Sequence, residues 1–212
     1  MLKKKVLILH GKPGMGHLVT AKALMEVFSN KYPEIEIKDA DAFDFIYGIL
    51  RYGYLYFYNQ IVFKIPYLYR IFYDSYNNKL IQKVLERFTL FFLKKDQFIS
   101  FIKDFSPDFI LATNPLPLQL VSLIKEKNTI DILSANVCTD FGFHSLWHSS
   151  DINYYFVATE EIKKLLLDHK VNLDKIKITG IPVRSEFRQP LDRHKILESL
   201  NFYISHNARP CK

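Results

Sequence analysis

Short apolar runs recur along this chain, and between most of them apolar positions return every three or four residues. Residues 6–9 (Val-Leu-Ile-Leu) contain no polar position, the pattern of a parallel strand buried on both faces. From residue 18 to residue 31, Leu18, Ala21, Leu24, Met25 and Phe28 fall on one face of a predicted helix. Residues 35–39 alternate apolar and charged side chains and read as a second strand. Strand, helix and strand in succession make a βαβ unit, whose crossover is expected to be right-handed.

Residues 43–105 interrupt this rhythm. Between residues 43 and 76 there are 14 Phe or Tyr among 34 residues, interspersed with Arg51, Lys64 and Arg70 and broken by Pro66. Residues 79–105 then read as helical, with Leu80, Val84, Phe88, Phe91 and Phe92 spaced by three and four. After Ser106-Pro107-Asp108 the alternation returns. Strands are predicted at 109–113, 130–137, 154–158 and 175–179, and helices at 118–127, 160–169 and 191–200. Residues 201–212 show no periodicity. Alternating strands and helices imply an α/β fold with a doubly wound parallel sheet, here carrying an aromatic-rich helical insertion. Ligands of such sheets bind at the carboxyl ends of the strands. His17, Asn114, Asp140 and Gly180 all follow predicted strands, so they share one address.

Charge and cysteine usage narrow the setting. The formal charge is +7 and the pI about 9.2, which suits anionic partners such as a nucleic acid, an anionic lipid or a phosphorylated sugar donor. Cys138 and Cys211 are the two cysteines; neither a structural disulfide nor a metal-ligand spacing is expected, and the setting reads as reducing and cytoplasmic. No apolar stretch reaches the ~18 residues of a spanning helix, and the first apolar run is too short for a signal peptide.

The chemistry centres on the turn between the first strand and helix, His10-Gly11-Lys12-Pro13-Gly14-Met15-Gly16-His17. Glycines let the backbone approach a polar ligand, and the helix start offers free N–H groups. His17-Leu18 stands where a phosphate loop needs Lys and Ser or Thr, and no glycine sits three residues after Gly16. A tight turn without a ligand is the alternative. In the first helical turn, His17 is expected to stay neutral near pH 7, since a helix N-terminus disfavours imidazolium. A neutral histidine can take a proton from a hydroxyl.

A second constellation, residues 139–148, holds Thr139, Asp140, His144, Trp147 and His148 after a strand. His144 and His148 are four apart, but no acid is placed as a zinc helix requires, so no metal is assigned; the alternative is a polar loop around a packed Trp. Thr179-Gly180-Ile181-Pro182-Val183 reads as a stiff turn, either a strand exit or a hinge. The aromatic block is in part a helical subdomain on the sheet. Tyr and Phe mixed with Arg and Lys also suit a membrane interface. Stacking on single-stranded nucleic acid has no supporting motif, and no nucleic-acid partner is assigned.

Taken together, Gly14-Met15-Gly16-His17, the Tyr-rich insertion, Pro107-Asp108, Asn114-Pro115, Thr139-Asp140-Phe141 with His144 and Trp147, Tyr155-Phe156-Val157-Ala158 and Thr179-Gly180-Ile181-Pro182-Val183 resemble the N-terminal domain of monogalactosyldiacylglycerol synthase. The processive diacylglycerol glucosyltransferases of bacteria share this order. The resemblance implies one half of a GT-B fold, two Rossmann-like domains facing a cleft. It also implies transfer of a hexosyl group from a UDP-sugar to diacylglycerol with inversion, on an anionic membrane surface.

By this resemblance His17 is the general base, and Asp140 either orients His17 or binds the acceptor. Gly14, Gly16, Asn114, Pro115, Thr139, His144 and Trp147 shape the acceptor and sugar-phosphate side. Arg51, Tyr52, Tyr54, Tyr56, Phe57, Lys64, Tyr67 and Arg70 meet the membrane; Gly180 and Pro182 form the interdomain hinge. The UDP-sugar is a co-substrate, and no cofactor is implied. Residues 1–190 are expected to form the acceptor domain, with residues 43–105 as its insertion, and residues 191–212 the start of a linker. The donor domain is expected to lie outside this chain, through truncation, a frameshift or a split gene with a separately encoded donor domain, leaving the chain alone inactive. A non-catalytic membrane-binding module or remnant, and a transferase acting on a peptidoglycan lipid precursor, are the alternatives. The turn departs from the family at Lys12-Pro13, where small residues are usual, and Asn114 stands where a histidine often precedes the proline.

Overall fold

The run Val6-Leu7-Ile8-Leu9 lies in strand β1 (Lys5–His10), and every residue of β1 after Lys5 is buried. In the computed structural model, which describes residues 3–12, 15–65, 67, 71, 75, 78–126, 131–142, 144–149, 151–188 and 193–199, β1 is a central strand of a six-stranded parallel sheet. The other strands are β2 (Glu36–Asp41), β3 (Phe109–Ala112), β4 (Leu133–Val137), β5 (Tyr154–Val157) and β6 (Ile176–Ile178). Their spatial order is β2-β1-β3-β4-β5-β6. Val6 pairs with Ile37 on one side and Phe109 on the other. The doubly wound α/β fold expected from the strand–helix rhythm is present, and its winding reverses between β1 and β3.

Alternate residues of β1 feed the two faces of the sheet, as the strand's period of two requires. Val6 and Ile8 join Leu111, Ala135 and Val137 under helix α1 (Met15–Lys31), against which Leu24, Met25 and Phe28 pack. Leu7 and Leu9 join Ile110 and Ala112 on the opposite face. Three helices cover that face: α4 (Lys95–Phe105), α5 (Pro115–Glu126) and α6 (Glu160–Asp168), which contribute Phe98 and Ile102, Leu118 and Ile124, and Ile162 and Leu166. The chain then returns over α1, where Ser185 bonds the Glu26 carboxylate, and ends its described part in α7 (Arg193–Ser199).

Local chemistry sets the helix starts. Asn114 Oδ1 accepts from Leu116 N at 2.9 Å at the start of α5, and Pro115 occupies the first helical position, where its missing N–H costs nothing. This places the start of α5 three residues earlier than the apolar period alone indicates. Thr159 caps α6 with its side-chain oxygen, and Glu160 and Glu161 fill the first turn.

The insertion holds a short 3-10 turn (Ala42–Phe45), helix α2 (Gly48–Lys64) and helix α3 (Lys79–Phe92) before α4. The helix expected over 79–105 is two helices, because Leu93 leaves the helix to make an antiparallel bridge with Ile46. The second packs on the sheet, while of the first Phe92 reaches the core. Leu80, Val84, Phe88 and Phe91 of α3 are exposed, Leu80 by 72% and Phe91 by 78%. The apolar period of this helix therefore marks an outward face. Pro66, Arg70 and residues 201–212, Cys211 among them, lie outside the described residues.

One glycine in the first turn is dictated by close packing. A Cβ at Gly11 would lie 3.0 Å from Asn114 Cγ and 3.2 Å from Phe43 Cε2, whereas one at Gly16 would meet nothing within 4 Å. Gly11→Ala is expected to destabilise the fold by about 1–3 kcal/mol through overpacking. Gly16→Ala, in an exposed helical turn, is expected to change stability by less than about 1 kcal/mol. Urea unfolding of both variants checks this, and equal losses would rule out the close approach at Gly11.

Candidate active site

The carboxyl ends of β1, β3 and β4 converge at the point where the winding reverses. His17 stands in the first turn of α1 and is partly buried. Thr113, one residue past β3, donates its hydroxyl to the His17 carbonyl at 3.1 Å and thereby ties the helix start to the sheet. Thr139, two residues past β4, places Oγ1 2.7 Å from His17 Nδ1. Two threonines on neighbouring strands thus hold one histidine, by its backbone and by its ring. Thr113 was not among the residues singled out in the sequence; its place at the end of a predicted strand was the available signal.

His17 is held below its ordinary pKa of 6.5, chiefly by burial and further by His10, against the opposing charge of Asp140 and a bond to the Thr113 backbone. The neutral state expected for it is therefore reached, with desolvation as the main cause.

Asp140 does not touch the His17 ring. Its Oδ2 accepts the indole N–H of Trp147 at 3.1 Å, so it acts on His17 through charge alone. Trp147 is fully buried, and Asn136 Nδ2 donates to its carbonyl at 3.1 Å. Its ring lies near two histidines, with centroids 6.0 Å from His17 and 6.1 Å from His144. It is at once a core side chain and a wall of the site. His144 is buried, and its pKa is pushed down to about 4, mostly by burial and further by His17. His148 pairs instead with His169, at 5.9 Å between centroids, so the two histidines of residues 139–148 face different neighbours. Among the described residues no three His, Cys, Asp or Glu side chains gather to hold a metal ion.

Other sequence candidates are distributed differently. Asn114 is buried and faces Gly11 across the turn. Gly16 is exposed in the first turn of α1, and Gly14 lies outside the described residues. Tyr52, Tyr56, Lys64 and Tyr67 are exposed. Tyr54 is also exposed, and its ring stacks on Phe43 at 5.4 Å. Arg51 is committed to the protein: it bonds Asp44 and lies 3.9 Å from the buried Asp41 carboxylate. The Phe57 side chain and Arg70 lie outside the described residues. Gly180 has φ 75°, a left-handed conformation that favours glycine, and Pro182 follows it on the strand exit. No described helix is long and apolar enough to cross a membrane.

The sheet order and strand–helix alternation define a Rossmann-like α/β domain, with a candidate site at the carboxyl ends of its strands. The model of the monogalactosyldiacylglycerol (MGDG) synthase family matches residues 17–183, and the chain belongs to that family. Processive diacylglycerol β-glucosyltransferase of Bacillus cereus strain B4264 is 33% identical over 186 residues, covering 86% of this chain and 46% of the relative. The enzyme of that name from Bacillus thuringiensis strain Al Hakam is 34% identical over 188 residues, with the same coverage. The chain thus spans about half the length of these curated relatives. The solved apo structure of the lipopolysaccharide outer core galactosyltransferase WaaB superposes with a TM-score of 0.46 at 12% identity, over 84% of this chain and 45% of that one.

The buried imidazoles make the fold sensitive to acid. An unfolded histidine binds a proton near pH 6.5, whereas folded His144 does so only near 4. The unfolded state therefore binds more protons between these values, and stability falls as pH falls through them. His144 alone accounts for about 3 kcal/mol across that window. The urea midpoint is expected to drop between pH 7 and pH 4.5, and to drop less in His144→Gln. Equal drops in the two proteins would exclude this role for His144.

Proposed function

We propose that this chain supplies the acceptor side of an inverting glycosyltransferase that transfers a hexosyl group from a UDP-sugar to diacylglycerol. The observation that carries the reading is the held, neutral imidazole of His17 at the switch point. In the proposed step Nε2 of His17 takes the hydroxyl proton of the lipid acceptor. The acceptor oxygen forms the new bond to the anomeric carbon from the face opposite the leaving group. The bond to UDP breaks, and UDP departs with the electron pair. Family membership and the names of the relatives support diacylglycerol as acceptor. A neutral base suits the chemistry, since imidazolium could not accept a proton.

In this reading the sugar nucleotide is held by a second Rossmann-like domain outside these 212 residues, completing a GT-B cleft, with Gly180 and Pro182 at the hinge. The lipid arrives across the insertion. Exposed Tyr52, Tyr56 and Tyr67 and the outward face of α3 offer aromatic and apolar side chains to a bilayer surface, with Lys64 among them. The chain then sits peripherally on the cytoplasmic leaflet. Arg51, already paired with Asp44, serves to fix the insertion rather than to meet lipid.

With both halves of the site present, His17→Ala is expected to lower turnover ~10²-fold or more, and an unchanged rate would remove His17 as the base. The acid limb of kcat/KM in the same preparation is expected below pH 6.5, because burial lowers the His17 pKa. Flotation with anionic, diacylglycerol-containing vesicles tests the membrane face. Replacing Tyr52 and Phe91 together by serine is expected to weaken binding about tenfold or more; undiminished binding would place the lipid contact elsewhere.

A further inference from the structure

The ring nitrogen that carries the proton decides whether His17 can act as a base toward the lipid. We infer that Thr139 is the positioning residue that sets the His17 tautomer, holding the proton on Nδ1 and leaving the lone pair on Nε2. The inference deepens the proposed function and rests on its assignment of His17 as the base.

The hydrogen-bonding capacities of the neighbours point one way. Thr139 Oγ1 lies 2.7 Å from His17 Nδ1 and 3.5 Å from the Thr113 carbonyl. A hydroxyl has one proton to give, and a carbonyl can only accept. When Thr139 gives its proton to Thr113, it offers Nδ1 a lone pair, and Nδ1 must then be the donor. The Thr113 hydroxyl is already spent on the His17 carbonyl. Thr139 is β-branched, which restricts its side-chain rotation and keeps Oγ1 in place.

The choice of a hydroxyl over a carboxylate has a chemical consequence. A carboxylate against Nδ1 would orient the ring equally well, but its charge would raise the imidazole pKa. The nearby carboxylate, Asp140, is held by the Trp147 indole. A neutral partner fixes the tautomer and lets burial keep the base unprotonated.

The test reads the tautomer directly. The 212-residue chain, labelled with 15N in histidine, is examined at pH 7.5 by long-range 1H–15N correlation, with His17 assigned by its loss in His17→Gln. Wild type is expected to carry the proton on Nδ1. Thr139→Val keeps the shape and removes the hydroxyl, and is expected to shift the tautomer ratio toward Nε2–H by about 5–10-fold, the worth of one hydrogen bond. Thr139→Ser is expected to restore the wild-type ratio. A wild-type proton on Nε2, or an unchanged ratio in Thr139→Val, overturns the inference. If Thr139→Val does not fold, the wild-type tautomer and Thr139→Ser still decide. No transfer reaction is needed for this readout. With both halves of the site present, Thr139→Val is expected to lower kcat on the order of tenfold with KM little changed. A shifted tautomer with unchanged turnover upholds Thr139 as the residue that sets it and rejects His17 as the base.

Discussion

Strand β1 has no face turned to water, and the position of everything chemical follows from that burial. Val6 and Ile8 commit one face of the sheet to α1, and Leu7 and Leu9 commit the other to α4, α5 and α6. A strand buried on both faces and paired on both edges cannot slip by one residue without reversing every side chain. Its carboxyl end is therefore a fixed point. The turn after it, packed at Gly11 against Asn114 and Phe43, delivers α1 and His17 to one place.

At that place electrostatics follow from packing. Trp147 lies against both His17 and His144, and burial makes both imidazoles favour the neutral form. The same indole N–H binds Asp140 and keeps its carboxylate off the His17 ring. His17 is held by two threonines rather than by a carboxylate.

The insertion follows a different rule. It is joined to the sheet domain through Phe45 in the 3-10 turn, the Ile46–Leu93 bridge and α4. Helices α2 and α3 carry exposed apolar side chains. Exposed aromatic rings on adjoining helices are costly in water and suited to a bilayer surface. The arrangement places the aromatic insertion in the same chain as the site at the strand ends, and Arg51 with Asp44 and Asp41 braces their junction.

Period and punctuation were enough for the sheet. The apolar runs, their spacing and the glycine turn determined the strands, the βα alternation and the carboxyl-end address of His17, Asn114 and Asp140, because strand and helix periods are local properties of the chain. The motifs, in their order, carried the family resemblance. What local pattern could not hold was direction and partnership. Leu80, Val84, Phe88 and Phe91 have a core-like spacing but face outward, since spacing tells which residues share a face and not what lies opposite. Thr139 and Asp140 are adjacent in sequence, yet one meets the His17 ring and the other meets Trp147. Successive residues in extended backbone point to opposite sides, and only the packed neighbours decide which side holds the histidine. Gly11 was visible as a glycine, but its necessity came from Asn114, about a hundred residues along the chain and brought beside it only by the pairing of β1 with β3.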